Sequence, residues 1–296
     1  MVLSGPVLLF LITTPLVYRD NYYERMSHRP VVLVHGWNSH PGVWNRLVPR
    51  LEEQSFPVWN FSHDTCGNRA PDEIAYLLRD YIRDRRDAAG YSDEIDLVCH
   101  SMGGCIARYL IEVIDGKERS EHVRQLIGLA PPNNGSALAE LFFDPDLAPG
   151  VIERLTGSFV PPGFDPGKDR IVREFRFGSR TISRLQQAGT RDDIVYRMIL
   201  SENRQSTPDF FPPFEGRTWE YEPSGGWRET YAGDGIVPHR DSWLPGAEHV
   251  ILPAGREPRV SPADRYCHIH LPRNAEVISR VLEFLSKPGN CHTSGK

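Results

Sequence analysis

The chain has 296 residues, 40% of them hydrophobic and 25% charged, with a formal net charge of −5. That size and balance allow a sizeable buried core, arranged as one large domain or two small ones. There is no basic surplus or long basic run, which excludes the electrostatic footprint that nucleic-acid binding requires.

Residues 1–29 read as an apolar N-terminal segment and a spacer. Val2 to Tyr18 carries no charge and contains the run Val7-Leu-Leu-Phe-Leu-Ile12. One reading is a signal peptide or membrane anchor; the other is a β-hairpin at a sheet edge, turning near Thr13-Thr-Pro15. The missing positive n-region and cleavage site, with Pro6 and Pro15, weigh against the first. Lipid-surface contact and export suit an apolar leader, and the balance falls toward a secreted or membrane-associated protein. Arg19 to Arg29 is polar and reads as the spacer.

Pro30 to Val34 is a continuous apolar run suited to a buried parallel strand, ending in His35-Gly36-Trp37-Asn38. Pro41 to Gln54 reads as a helix with Val43, Trp44, Leu47, Val48 and Leu51 on one face. Pro49 inside it predicts a kink or an early stop. Phe56 to Phe61 is a second strand, followed by a polar loop from Ser62 to Ala70. Pro71 to Ala88 is amphipathic, with Ile74, Leu77, Leu78, Tyr81 and Ile82 inward.

Next comes a short apolar run containing Ile95, Leu97 and Val98. A sharp turn at Ser101 follows, and then Ile106, Tyr109, Leu110, Val113 and Ile114 at helical spacing. With Gln125 to Leu129 as the next strand, the order β-α-β-α-β-α-β predicts an α/β fold: a mostly parallel sheet flanked by helices. The functional edge is then the C-terminal ends of the strands, where both His35-Gly36 and Ser101 lie.

The pattern breaks after Ala130-Pro-Pro-Asn-Asn-Gly-Ser136. Residues 137–192 are rich in Pro, Gly and aromatics, with Leu138, Leu141, Phe142, Phe143, Phe159 and Phe164 among the apolar positions. They read as an inserted lid or cap over the strand ends. Ile194 to Leu200 resumes as a strand. A second, irregular insertion, 201–229, carries Phe210, Phe211, Phe214, Trp219, Tyr221 and Trp227. Ala247 to Leu252 is the last strand and Pro272 to Ser286 the last helix. Residues 30–287 thus read as the main domain and 288–296 as a mobile tail.

The chemistry gathers at Cys99-His-Ser101-Met-Gly103, a one-residue variant of the G-x-S-x-G nucleophile turn. The serine must hold a strained backbone so that its hydroxyl clears the sheet, and its flanking positions must be small. A serine alcohol also needs a base, and the base needs a carboxylate. The chain offers Ser, Asp and His in that order: Asp234 in Gly-Asp-Gly-Ile-Val-Pro238, and His268 in Tyr-Cys-His-Ile-His-Leu-Pro272. Asp241 is a rival acid and His270 a rival base. His100, beside the serine, and His35 read as packing and hydrogen-bonding residues. The five cysteines, Cys66, Cys99, Cys105, Cys267 and Cys291, are an odd count without a C-x-x-C pair, and read as free thiols. Without an H-E-x-x-H pair either, the sequence supports no metal site and calls for no cofactor.

With these motifs in this order, the sequence resembles the microbial lipases and carboxylesterases of the α/β-hydrolase superfamily. The likeness runs over Val-Val-Leu-Val-His35-Gly36, Cys-His-Ser101-Met-Gly-Gly104, Ala-Pro-Pro-Asn-Asn-Gly-Ser136, Gly-Asp234-Gly-Ile-Val-Pro and His268-Ile-His-Leu-Pro. It implies an α/β-hydrolase fold, Ser101 as nucleophile, Asp234 as acid and His268 as base. It also implies an oxyanion hole from the backbone N–H groups of Trp37 and Met102. The motif contexts favour Asp234 over Asp241 and His268 over His270. Cys99 departs from the usual glycine at a position where related lipases tolerate alanine. The implied activity is hydrolysis of small-molecule or lipid esters, with medium-to-long acyl chains suited to an apolar cover. A short-chain carboxylesterase and a lipid acyltransferase are the alternatives.

Overall fold

The structure, a computed structural model, describes residues 28–65, 67–222, 224–255 and 265–287. The apolar N-terminal segment, with its export or membrane reading, lies outside the described residues, as do Cys66, Cys291 and the tail.

Near-continuous apolar runs make the centre of the sheet. Strand β1 (Val31–Val34) is Val-Val-Leu-Val and wholly buried, and β3 (Ile95–His100) and β4 (Val123–Leu129) are buried at every position. Strands that bury both faces need helices on both sides, and parallel pairing supplies them. Outward lie β2 (Val58–Phe61), β5 (Val195–Ser201) and β8 (Glu248–Leu252). All pairings in this six-stranded sheet, ordered β2-β1-β3-β4-β5-β8, are parallel. The chain leaves β1 for β2 on one side and then returns to β3 on the other. The order therefore reverses between β1 and β3, where α/β sheets open a crevice at the strand ends.

Register fixes what meets there. Val34 pairs with Cys99, and His100 with Leu129. The residues that follow, His35-Gly36 after β1, Ser101 after β3 and Ala130-Pro131 after β4, thus emerge side by side.

The expected helix Pro41–Gln54 is two pieces: a 3₁₀ turn at Pro41–Trp44 and α1 (Leu47–Glu53). Pro49 does not break it. Pro49 lies in the first turn of α1, where a missing N–H has no intrahelical acceptor to lose. Helix α2 (Pro71–Ala89) starts with Pro71 at its first position. Glu73 accepts the Ala70 N–H at 2.9 Å, and Gly90 ends the helix at φ 62°. After α3 (Met102–Arg108) the helix continues over Tyr109–Ile114 as π-helical turns, with Asp115 N–H bonded to the Leu110 carbonyl five residues back. The wider turn is not visible in a spacing read at 3.6 residues per turn.

Residues 137–192 hold four short helices: α4 (Ala137–Leu141), α5 (Ala148–Leu155), α6 (Arg170–Glu174) and α7 (Arg180–Ala188). The second insertion is less irregular than its sequence. An antiparallel hairpin, β6 (Thr218–Tyr221) and β7 (Trp227–Thr230), is held by edge-on packing of Trp227 on Trp219 and Tyr221. A four-residue helix, α8 (His239–Ser242), precedes β8. The last expected helix also divides, into a 3₁₀ turn at His268–Arg273 and α9 (Ala275–Ser286). Asn274 caps α9 by accepting the N–H groups of Glu276 and Val277.

Candidate active site

Ser101 sits at φ 54°, ψ −131°, a region that non-glycine residues enter only under strain. The strain turns a buried strand directly into α3 and leaves the serine hydroxyl at the tip. Gly103 makes this possible: a Cβ there would stand 2.5 Å from the Val34 carbonyl oxygen and 2.6 Å from that of His35. Helix α3 therefore approaches the end of β1 backbone to backbone. Gly36 is equally forced, since its Cβ would come within 2.9 Å of Ser101 Cβ. Cys99, at the variant position of the motif, is fully buried.

The structure brings Ser101, His268 and Asp234 together. Ser101 Oγ lies 2.9 Å from His268 Nε2, and His268 Nδ1 lies 2.6 Å from Asp234 Oδ2. The Gly-Asp-Gly-Ile-Val loop explains the carboxylate's aim. Asp234 Oδ1 accepts the N–H groups of Ile236 (3.0 Å) and Val237 (2.7 Å), leaving Oδ2 for the imidazole. The His268 N–H also donates to the Asp234 carbonyl at 2.9 Å, so the two loops are tied by backbone as well. Asp234 and His268 are each 1% exposed, while Ser101 is partly open.

The rivals sit elsewhere. Asp241 is buried with Oδ2 accepting the Ala137 N–H at 2.7 Å, and burial raises its pKa well above the usual carboxylate value. It anchors the start of α4. His270 is half-buried in the 3₁₀ turn, its N–H bonded to the Cys267 carbonyl. His100 does more than the sequence showed. Its Nε2–H donates to the His268 carbonyl at 3.0 Å, and the two rings lie 4.7 Å apart. Burial holds its pKa well below the ordinary histidine value, which keeps the ring neutral beside His268. Cys99, Cys105 and Cys267 are buried free thiols; burial pushes Cys105 and Cys267 up to about 12, so neither is a thiolate nucleophile near neutral pH.

Trp37 and Met102, whose backbone N–H groups are the expected oxyanion donors, border the same pocket as Ser101. Trp37 and Met102 line, with Ser101, an apolar slot walled by Leu138, Phe142, Phe159 and Val237. The slot is about 50 Å³. Residues from 137–192 form much of its wall. Trp37 lies 5.5 Å from both Phe159 and Phe164 and 6.3 Å from Phe142, ring centre to ring centre, and Phe159 stands edge-on to His268. Beyond Trp37 and Met102 a polar cleft of about 360 Å³ opens, with Asp64, Asn68, Asp165 and Lys168 in its walls. Among the described residues, no group of three or more His, Cys, Asp and Glu side chains has the arrangement to hold a metal ion, and no helix is long and apolar enough to cross a membrane.

Residues 16–156 match the model of a family described as "Domain of unknown function (DUF7379)". This stretch contains Trp37, Ser101 and Met102 and stops before Asp234 and His268. Over 132 residues the chain is 30% identical to a protein named lysosomal thioesterase PPT2-B of Xenopus laevis, covering 43% of each chain. Over 85 residues it is 34% identical to a serine hydrolase-like protein of Danio rerio, covering 27% of this chain and 26% of that one. The chain thus matches less than half the length of these curated relatives. Among solved structures, the mature form of the Bacillus licheniformis lipase BlEst2 superposes with a TM-score of 0.60 at 16% identity, covering 87% of this chain and 92% of that chain. Together with the six-stranded parallel sheet and its strand order, this likeness identifies the architecture as the α/β-hydrolase fold.

Proposed function

We propose that the protein is a serine hydrolase of carboxylic esters that works through an acyl-enzyme on Ser101. One observation carries the reading: the continuous line from Ser101 Oγ through His268 to a carboxylate fixed by two backbone N–H groups. In this reading His268 Nε2 takes the serine proton as Oγ attacks the ester carbonyl. Asp234 Oδ2 accepts the Nδ1–H, fixing the tautomer and stabilising the imidazolium. The N–H groups of Trp37 and Met102 receive the oxyanion. His268 then protonates the departing alcohol, and water repeats the cycle to release the acid.

The apolar slot beside Ser101 is the acyl site in this account, and residues 137–192 are its lid within a catalytic unit of residues 30–287. The lid is latched to the oxyanion loop. Trp37 Nε1–H donates to Asp169 Oδ2 at 3.0 Å, and Asn38 Nδ2–H donates to the Phe159 carbonyl at 3.3 Å. Arg170 pairs with Glu73 of α2 at 2.9 Å. In this reading the slot of about 50 Å³ takes short acyl groups as it stands, and longer chains need the cover to move. The aromatic wall favours lipid or medium-to-long acyl esters once it opens. The Xenopus relative's name favours a second reading, a thioester as substrate, which the same residues would cleave by the same steps.

The test is hydrolysis of p-nitrophenyl esters from acetate to palmitate by the wild type and Ser101→Ala. The expected result is a loss of about 10³-fold or more in kcat in the variant for every ester cleaved. Equal rates for the two proteins would remove Ser101 from the chemistry.

A further inference from the structure

Beneath the Gly36-Trp37 loop lies a pair of histidines that the mechanism above does not use. His35 and His63 stack with ring centroids 3.7 Å apart and planes 18° apart. His35 is 0% exposed and His63 6%. Their hydrogen bonds run both ways. The His63 backbone N–H donates to His35 Nε2 at 3.2 Å, and His63 Nε2–H donates to the His35 carbonyl at 3.0 Å. His35 Nε2 is thus an acceptor, so its proton resides on Nδ1, which donates to the Gly36 carbonyl at 3.0 Å.

Those two carbonyls belong to the two peptide groups that lead to the Trp37 amide. The His35 carbonyl is in the plane that carries the Gly36 N–H, and the Gly36 carbonyl is in the plane that carries the Trp37 N–H. In a trans peptide the C=O and N–H point in opposite directions. Holding the Gly36 oxygen on the His35 ring therefore aims the Trp37 N–H away from that ring. Gly103 of α3 closes against the His35 carbonyl from the second side. The two rings thus each hold one of these carbonyls by a hydrogen bond.

We infer that His63 is a positioning residue for the Trp37 oxyanion donor, acting through the His35 ring and the His35 carbonyl. The inference rests on the esterase reading of Ser101. Burial and the neighbouring His63 lower the pKa of His35 to about 4, which keeps Nε2 an acceptor at neutral pH. A misaimed donor weakens transition-state binding and leaves ground-state binding largely intact, so the signature is in kcat rather than KM.

The test compares wild type, His63→Ala, His63→Leu and His63→Gln on p-nitrophenyl butyrate, with thermal midpoints measured in parallel. Glutamine keeps a side-chain donor for the His35 carbonyl; leucine fills the space without one. The expected result is a kcat reduced about 10- to 100-fold in the alanine and leucine variants, KM within about twofold of wild type, and recovery of most of kcat in His63→Gln. If His63→Ala fails to fold, His63→Leu against His63→Gln decides the question. Wild-type kcat in folded His63→Leu would overturn the inference. An equal loss in His63→Leu and His63→Gln, following their thermal midpoints, would overturn it too, because packing alone would then account for the loss. Ser101→Ala separates the two levels: wild-type activity that survives Ser101→Ala breaks the esterase reading, whereas serine-dependent activity indifferent to His63 breaks only this one.

Discussion

At the scale of single residues, the site is built from neutral buried histidines around one strained serine. His35, His63 and His100 all have pKa values held below the ordinary 6.5 by burial, His35 down to about 4. The unfolded chain therefore binds these protons first as the pH falls. Their contribution to stability is fully present above pH 6.5 and is lost as the pH falls below it, for His35 down to about 4. For His35 alone, the interval from 6.5 to about 4 corresponds to about 3 kcal/mol. The thermal midpoint is predicted to fall steeply between pH 7 and pH 4.5. A flat midpoint over that range, measured by circular dichroism, would show that the three rings do not stay neutral in the fold. Ser101 was legible in the sequence because its signal is local: an apolar run, a small-residue turn and a helical pattern within a few residues. Asp234 and Asp241 were separable only by motif context. What divides them physically is that Asp241 spends its carboxylate on the Ala137 N–H, a contact 104 positions away. His63 lay in a loop read as merely polar. The available signal was positional: two histidines just past the ends of two strands whose parallel register pairs Val34 with Phe61.

At the scale of elements, the decisive joint is between the His35–Asn38 loop and α6. Asp169 does two things there. Its Oδ1 accepts the Val172 N–H at 3.0 Å, capping α6, and its Oδ2 accepts the Trp37 indole N–H. Replacing it by alanine removes the cap, at a cost of about 1 kcal/mol, and unties the proposed lid from Trp37. Asp169→Ala is predicted to raise the palmitate-to-acetate rate ratio several-fold while lowering the thermal midpoint by a few degrees. An unchanged ratio in a folded variant would show that this latch does not control acyl access. The sequence pointed to an apolar insertion over the strand ends but not to which of its side chains meet Trp37, because packing of Phe142, Phe159 and Phe164 on Trp37 depends on contacts over 100 residues apart. The hairpin β6–β7 escaped for a related reason. Its strands are only four residues each, Thr-Trp-Glu-Tyr and Trp-Arg-Glu-Thr, so cross-strand pairing rather than local propensity fixes them.

At the scale of the whole molecule, the βα alternation and the parallel sheet were legible, because buried parallel strands write themselves as unbroken apolar runs; the reversal of strand order between β1 and β3 was not. Three further features were not legible from pattern alone: the split of the Pro41 helix, the π-helical continuation of α3, and the buried Arg124–Asp96 pair bridging β4 and β3 at 2.7 Å. Each depends on how elements meet rather than on a repeat within one of them. What the fold achieves is convergence. Residues from three distant stretches, around positions 35, 101 and 234–268, reach one corner of the sheet edge, with Ser101, His268 and Asp234 in hydrogen-bonding order.

The most direct test of that convergence is the intact mass of the protein after incubation with a fluorophosphonate ester, comparing wild type, Ser101→Ala and Asp234→Asn. The account predicts a single adduct on the wild type, none on Ser101→Ala, and adduct formation slowed by orders of magnitude in Asp234→Asn, whose amide cannot stabilise the imidazolium. An unmodified wild type, or an adduct that persists in Ser101→Ala, would contradict it.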